Sequence, residues 1–183
     1  SRPIDLSLVA RLDADKLQAR AILDDNNTQG GRVQALISNL PRDGSLIERL
    51  QRGDLFAQLR YRGPAQSLWR LAAIDLLDFS GPVAIAADVR GTLERPRVRG
   101  SLSSDDLRVQ SAISGTDIRD ASVRGDFAGS RLRINSFKGT APNGGAVNGS
   151  GVVDLKNLGA GRGPEIDIRA GARNAQLVDA RGL

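Results

Sequence analysis

The sequence predicts an all-β domain, built mostly of antiparallel strands with two short helices. Two observations carry this. Apolar and polar residues alternate with a period of two from Ile4 to Ile168, and successive side chains of a strand point to opposite faces. Turn residues break the alternation at the short spacing of all-β folds, marking about ten or eleven strands. The beat is clearest in Gly91–Leu102, where Val98, Gly100 and Leu102 share one phase and Arg97, Arg99 and Ser101 the other. Such a pattern describes a sheet with one apolar and one polar side.

In the first third, Ile4, Leu6, Leu8, Ala10 and Leu12 alternate as a strand. After Asp13-Ala14-Asp15 the beat resumes with Leu17, Ala19, Ala21 and Leu23. Asp24-Asp25-Asn26-Asn27 is a turn cluster that Gly30-Gly31 extends. Val33, Ala35 and Ile37 follow, so the three strands read as an antiparallel meander. Ser45-Leu46-Ile47-Glu48 fits a capping box, in which Ser accepts from the backbone three residues on and Glu reaches back. With the apolar stripe Leu46, Ile47 and Leu50, and Gly53 in the position of a C-terminal glycine, a helix is expected over Leu46–Arg52. Leu55, Ala57, Leu59 and Tyr61 alternate as a strand. Pro64 opens a second helix, because its missing N–H costs nothing in the first turn. That helix, Pro64–Ala73, has Leu68, Trp69, Leu71 and Ala72 on one side and suits the end of a sheet as a plug. Trp69 is read as packing.

From Gly81 onward the chain is almost all strand. Val83, Ile85, Ala87 and Val89 lead into Gly91–Leu102, and Leu107, Val109 and Ile113 continue. Ile118 precedes Val123, Gly125 and Phe127, with a phase slip near Arg119-Asp120 that indicates a bulge or tight turn. Leu132 and Ile134 come before a turn rich in Pro142, Asn143, Gly144 and Gly145. Val147, Gly149, Gly151, Val153 and Leu155 alternate again, a Gly-rich loop ends at Gly163-Pro164, and Ile166, Ile168 and Ala170 close the series. No fixed-length repeat is evident. The reading is of one β-rich domain over residues 1–183, with room for a sub-boundary near 74–82. Ser1–Leu12 already reads as strand and the chain stops soon after another, so both ends read as cut from a longer protein. Missing targeting segments then carry no information about location.

Composition narrows the chemistry. Of the 183 residues 40% are apolar and 26% charged, ordinary for a folded protein, but only 3% are aromatic. Absent Cys removes disulfides and thiol nucleophiles, and absent His removes the commonest general base and metal ligand. The formal net charge is +5, almost all of it from Arg, with Lys only at Lys16, Lys138 and Lys156. A basic balance raises nucleic acid and anionic lipid as partners. The arginines are spread along the polar phase of strands, as at Arg131 and Arg133, which reads as a solvated sheet face.

No catalytic constellation emerges. Asp24-Asp25 and Asp105-Asp106 are adjacent carboxylates, but neighbours on a strand point apart. Gly159-Ala160-Gly161-Arg162-Gly163 lacks the Gly-Lys-Ser/Thr ending of a phosphate loop, and no helix follows. Serines have no His partner and no Gly-x-Ser-x-Gly elbow. Stacking aromatics for single-stranded nucleic acid are scattered over Phe56, Tyr61, Trp69, Phe79 and Phe127. The expectation is a protein that is not an enzyme and uses no cofactor or metal.

The apolar phase is thin. It includes Ala19, Ala21, Ala35, Ala57, Ala87, Gly100, Gly125, Gly149 and Gly151 among Leu, Ile and Val. Two architectures answer to that. A sandwich of two sheets can pack closer over small residues. Alternatively the face stays open and something else covers it. Acyl chains suit such a face, since each buried CH₂ contributes about 0.8 kcal/mol without polar specificity.

Gly91-x-Leu93-x-x-Pro96-x-Val98-x-Gly100-x-Leu102 resembles an element that recurs in the TamB family, the inner-membrane component of the translocation and assembly module, within the AsmA-like group. Val123-Arg124-Gly125-Asp126-Phe127, Leu132-Arg133-Ile134-Asn135-Ser136-Phe137 and Gly145-Ala146-Val147-Asn148-Gly149-Ser150-Gly151 are similar to that family too, as is Gly63-Pro64-Ala65 running into Leu68-Trp69. The resemblance is best from Gly53 to Leu155. It implies a curved, mostly antiparallel sheet folded as an open, taco-like apolar trough, in the periplasm of a Gram-negative bacterium. It also implies an inner-membrane anchor in the full-length protein and no catalytic motif. Two roles follow from it: conducting phospholipid between inner and outer membrane, or assisting assembly of outer-membrane β-barrel proteins with an outer-membrane barrel partner.

On strand phase, the lining would be Leu6, Leu8, Leu17, Val33, Ile37, Val83, Ile85, Val89, Val98, Leu102, Val109, Val123, Leu132, Ile134, Val147, Val153 and Ile168. Strands spaced ~4.8 Å apart give about 45 Å of trough from ten strands. The lipid reading puts phospholipid acyl chains on this lining and the head group at the wet rim. The chaperone-like reading has a client strand pair with an open sheet edge. The two helices would cap or gate the trough.

Overall fold

The computed structural model describes residues 5–25, 28–72, 78–111, 115–154 and 165–174. The first strands are β1 (Asp5–Leu12), β2 (Leu17–Asp25), β3 (Thr28–Ser38) and β4 (Asp54–Pro64), with helix α1 (Leu46–Arg52) before β4 and α2 (Ala65–Ala72) after it. Then come β5 (Asp78–Ser80), β6 (Pro82–Gly91), β7 (Pro96–Ser111), β8 (Thr116–Gly129), β9 (Arg131–Thr140), β10 (Ala146–Asp154) and β11 (Glu165–Arg173). All join one 11-stranded sheet in the order β1-β2-β3-β4-β6-β7-β8-β9-β10-β11, with β5 beside β7. Every pairing is antiparallel. The sheet is curved and open. No second sheet faces it among the described residues, which leaves the open trough and removes the sandwich.

The meander follows from short connections. Gly91 (φ 112°) ends β6, and Arg95 N–H donates to the Thr92 carbonyl (3.2 Å) to close the turn into β7. Ala141 N–H to Gly145 carbonyl (2.8 Å) closes the turn between β9 and β10. Such tight turns force neighbours in sequence to be neighbours in the sheet. Gly30 and Gly31, expected in the turn, lie instead inside β3, where the register against β2 shifts between Leu23 and Asp24. Asn26, Asn27, Ile113, Leu155 and the Gly-rich loop to Pro164 lie outside the described residues. So do residues 74–77 of the 74–82 stretch, on either side of which β4 pairs directly with β6.

Helix α1 has the capping box the sequence encodes. Glu48 N–H donates to Ser45 Oγ (3.4 Å), and Ser45 N–H donates to Glu48 Oε2 (2.8 Å). Gly53 is extended (φ −67°, ψ 157°), not left-handed. Its missing Cβ serves packing, because one would press against Leu40 Cδ2 (2.8 Å) and Ile37. Leu46 and Ile47 are exposed and Leu50 is half-buried, so most of the α1 apolar stripe is left uncovered. What holds α1 is polar: Arg49 donates to the carbonyls of Pro41 (2.6 Å) and Ala14 (2.7 Å). Helix α2 begins at Ala65, one residue after Pro64. Ala65 N–H donates to the Gly81 carbonyl (2.7 Å), and Tyr61 Oη donates to the Pro64 carbonyl (2.7 Å). The helices therefore stand at opposite ends of β4, at opposite rims of the trough.

A bend crosses the middle strands. β6 stops pairing β7 at Ser103, and β5 takes over at Arg108, after a corner at Gly81 (φ 108°). β7 bulges at Asp105–Asp106, where its register to β8 shifts between Ser104 and Leu107. The phase slip read at Arg119-Asp120 is a bulge in β8, with Asp120 at φ 50°. Bulges bend strands and raise local twist. Residues from both sides of this bend, among them Tyr61, Val83, Leu107, Val109, Ala121 and Val123, form one core cluster, with Leu68 of α2 and Phe79 of β5 packed against it.

Candidate functional site

Antiparallel register aligns side chains into rows that cross the strands, because directly opposite residues share a face. One row runs through ten strands: Leu6, Leu23, Gly31, Tyr61, Ile85, Leu102, Gly125, Ile134, Gly151 and Ile168. The next runs from Leu8 through Ala21, Val33, Leu59, Ala87, Gly100, Phe127 and Leu132 to Val153. Neither row contains a charged residue. All seventeen expected lining residues fall on this face. Val89 stands opposite Val98, Leu17 opposite Ile37, and Leu132 opposite Val153.

They are not equally open. Ile37, Val83, Val109, Val123 and Val147 are buried against protein and offer little to a ligand. Leu17, Ile85, Val89, Val98, Leu102, Leu132, Ile134 and Val153 are half-buried. Leu6 (60%), Leu8 (65%), Val33 and Ile168 (61%) are exposed. The open ground is thus toward the two ends of the sheet, with the middle filled near α2 and β5.

Small residues play two different parts. Several glycines are seats for a neighbour's side chain: Tyr61 Cδ2 lies 2.8 Å from where a Gly31 Cβ would be, and Ile168 Cγ1 3.1 Å from that of Gly151. These positions leave no gap. The alanines differ. Ala10, Ala19, Ala35 and Ala57 align in one row across β1–β4 and continue into Val89 and Val98. Leu8, Val33 and Leu59 flank that row on one side, and Leu12, Leu17, Ile37 and Leu55 on the other. The result is a shallow apolar lane running along the trough. Leu59 and Phe127 also stand on this face, outside the expected lining. Their signal was available, since each shares the phase of a lining neighbour on its own strand.

The polar side carries the ion pairs. Asp117, 18% exposed, accepts from Arg108 Nε (2.8 Å) and from Arg119 Nη2 (2.7 Å). The Arg108 hydrogen bond, then that of Arg119, holds its carboxyl well below the ordinary carboxylate range. Glu48 is also held low, first by the Ser45 backbone N–H. Arg60 pairs with Asp88 (2.8 Å) and Arg131 with Asp154 (3.4 Å). Asp105 and Asp106 share the β7 bulge, both exposed, and Arg124 pairs with Asp105. Among the described side chains, Tyr61 and Phe79 pack into the core cluster while Phe56 stands on the other side beside Arg90, so these aromatics form no stacking series. A concavity of ≈ 510 Å³ and a second of ≈ 390 Å³ lie over β9–β11, lined mainly by polar residues such as Asn135, Lys138, Ser150 and Arg169. They share only Ile134 with the expected lining. Among the described residues no helix is long and apolar enough to cross a membrane. No protein-family model, curated protein or solved structure matches this chain.

Proposed function

We propose that this chain is a non-enzymatic section of a TamB-like envelope bridge in the periplasm, conducting phospholipid through its apolar trough. The observation that carries the reading is the uncharged apolar face, open at both ends of the sheet, with exposed Leu6, Leu8, Val33 and Ile168. An acyl chain lying in the alanine lane runs along the trough rather than across it. Only about half of each methylene meets the floor, so the gain is roughly 0.4 kcal/mol per CH₂, and a dozen methylenes contribute about 5 kcal/mol. That is strong enough to hold a chain out of water and weak enough to let it slide.

The test is lipid itself. Protein purified without detergent is expected to carry phospholipid detectable by mass spectrometry, and a photo-crosslinker at Leu8 or Val33 should yield lipid adducts. Lipid-free protein that also fails to extract a fluorescent phospholipid from vesicles sinks the proposal.

One observation favours a second reading. β1 and β11 each pair on one side only among the described residues. Their free backbone groups suit β-augmentation by a client strand, as a chaperone-like scaffold working with an outer-membrane barrel partner would use. Crosslinkers at Val9 and Arg169 that capture barrel proteins, with no lipid adducts at Leu8 or Val33, would favour this alternative.

A further inference from the structure

The polar side of the sheet is not uniform. Over β1–β7 it sets arginines directly opposite each other, Arg32 with Arg60 and Arg90 with Arg97. Like charges so placed destabilise a sheet. Arg20 and Arg99 stand in the row between. Across these three rows, from β1 to β7, the one carboxylate among the described residues is Asp88, which Arg60 holds at 2.8 Å. From β8 onward the same rows carry Asp126, Asp154, Asp167 and Glu165 against Arg131 and Arg133, so their balance turns negative. The positive charge is therefore concentrated on one half of one face.

That basic half also holds large apolar side chains in water. Val9 is 68% exposed, Ile22 49% and Phe56 37%. Each lies directly opposite an arginine: Val9 opposite Arg20, Ile22 opposite Arg32, Phe56 opposite Arg90. The Arg90 guanidinium sits 5.2 Å from the Phe56 ring centroid. Exposed aliphatics amid unpaired arginines make a poor solvent-facing surface and a poor nucleic-acid surface. Single-stranded nucleic acid calls for a series of stacking aromatics, and Phe56 alone supplies one here. A bilayer interface accepts both features. Guanidinium groups bind phosphates through paired N–H donors, and aliphatic side chains sink into the headgroup boundary.

We infer that the outer face of β1–β7 docks on the surface of an anionic phospholipid bilayer. Arg20, Arg32, Arg97 and Arg99 engage headgroup phosphates, while Val9, Ile22 and Phe56 enter the boundary layer. This surface is separate from the apolar trough on the other side of the sheet. It rests on no assumption about what the trough carries.

Co-sedimentation with vesicles of phosphatidylcholine, alone or mixed with phosphatidylglycerol, tests it. Binding is expected only with phosphatidylglycerol present and should weaken as salt rises. Each arginine near an anionic surface contributes about fivefold, so R20E/R32E/R97E should lose at least about a hundredfold. Ile22→Ser should lose binding without altering net charge. Extraction of a fluorescent phosphatidylcholine, which reads the trough, should be unchanged in the same variants. Equal binding to pure phosphatidylcholine overturns the inference, as does salt-independent binding. It also fails if a duplex oligonucleotide binds as tightly as the anionic vesicles and Ile22→Ser has no effect, since the patch then reads polyanions in general. The salt series uses unaltered protein and decides the matter even if the triple variant folds poorly.

Discussion

Arg124 reaches across the β7–β8 seam and donates through Nη1 to the Ser104 carbonyl (2.7 Å), the last residue before the β7 bulge. The same nitrogen donates to the Val123 carbonyl (2.8 Å), and Nη2 pairs with Asp105 on the bulge itself. One side chain thus satisfies backbone groups that the broken ladder leaves over. The Arg124 side chain is 49% exposed, which discounts its worth. Arg124→Met should cost about 1 kcal/mol, read from urea denaturation. Loss of hydrogen-exchange protection should be confined to Ser103–Leu107. An unchanged midpoint would mean the bulge is fixed by its apolar neighbours alone.

Gly81 turns the corner on the facing strand. Its φ is 108°, and a Cβ there would strike the Asp106 carbonyl oxygen. Gly81→Ala should destabilise by about 3 kcal/mol. Gly144 has φ 82° but nothing within 4 Å of an added Cβ. Gly144→Ala should cost only about 1 kcal/mol, the conformational part. Equal thermal melting shifts for the two would remove the steric component from the bend.

Asp117 makes stability depend on acid. Its carboxyl is held low in the folded state by Arg108 and Arg119. An unfolded Asp titrates near 3.9. The contribution is therefore whole above about pH 4 and is lost as pH falls below that toward the folded value. Asp117→Asn should be less stable than the parent at pH 7, and the gap should narrow on going to about pH 2.5. A gap that stays constant across that range would show that the carboxylate charge is not what stabilises this corner.

Charge placed in the trough tests conduction. Leu102 lies in the ten-strand apolar row and Val98 opposite Val89 at the far end of the alanine lane. Val98→Asp or Leu102→Arg should lower phospholipid transfer by tenfold or more, since moving an acyl chain past a charge forfeits several methylenes of contact, each about 0.8 kcal/mol when fully buried. Circular dichroism and a melting curve separate blockage from misfolding. Transfer at the parent rate in a folded variant would sink the conduction proposal.

Much of this architecture was legible because it is local. The period-two beat names the strands, and Ser45 with Glu48 names the start of α1 within one turn of chain. The bulge at Asp105–Asp106 was not read from the sequence, although its signal is there: the apolar phase passes from Leu102 to Leu107 and Val109, an odd step. What sequence withheld is long-range. That Ala10, Ala19, Ala35 and Ala57 form one row depends on the register of three separate hairpins. The glycines of the apolar phase look like gaps in sequence, yet Gly31 and Gly151 are filled by side chains from adjacent strands. Gly53 was placed correctly at the end of α1 for the wrong reason: it avoids Ile37 and Leu40, partners that no local rule names. The α1 stripe of Leu46 and Ile47 predicts burial, but the two arginine bonds to Pro41 and Ala14 orient the helix otherwise.

Strand order here follows the chain almost without exception, and this has a consequence for how such a molecule changes over time. Each hairpin leans only on its neighbours, so the sheet is close to one-dimensional in its energetics. Gaining or losing one hairpin lengthens or shortens it by about 10 Å and leaves the remaining rows in register. Long-range closure is never required, so each addition is able to fold onto the last as it emerges. A sheet built this way changes length two strands at a time without disturbing the rows that remain.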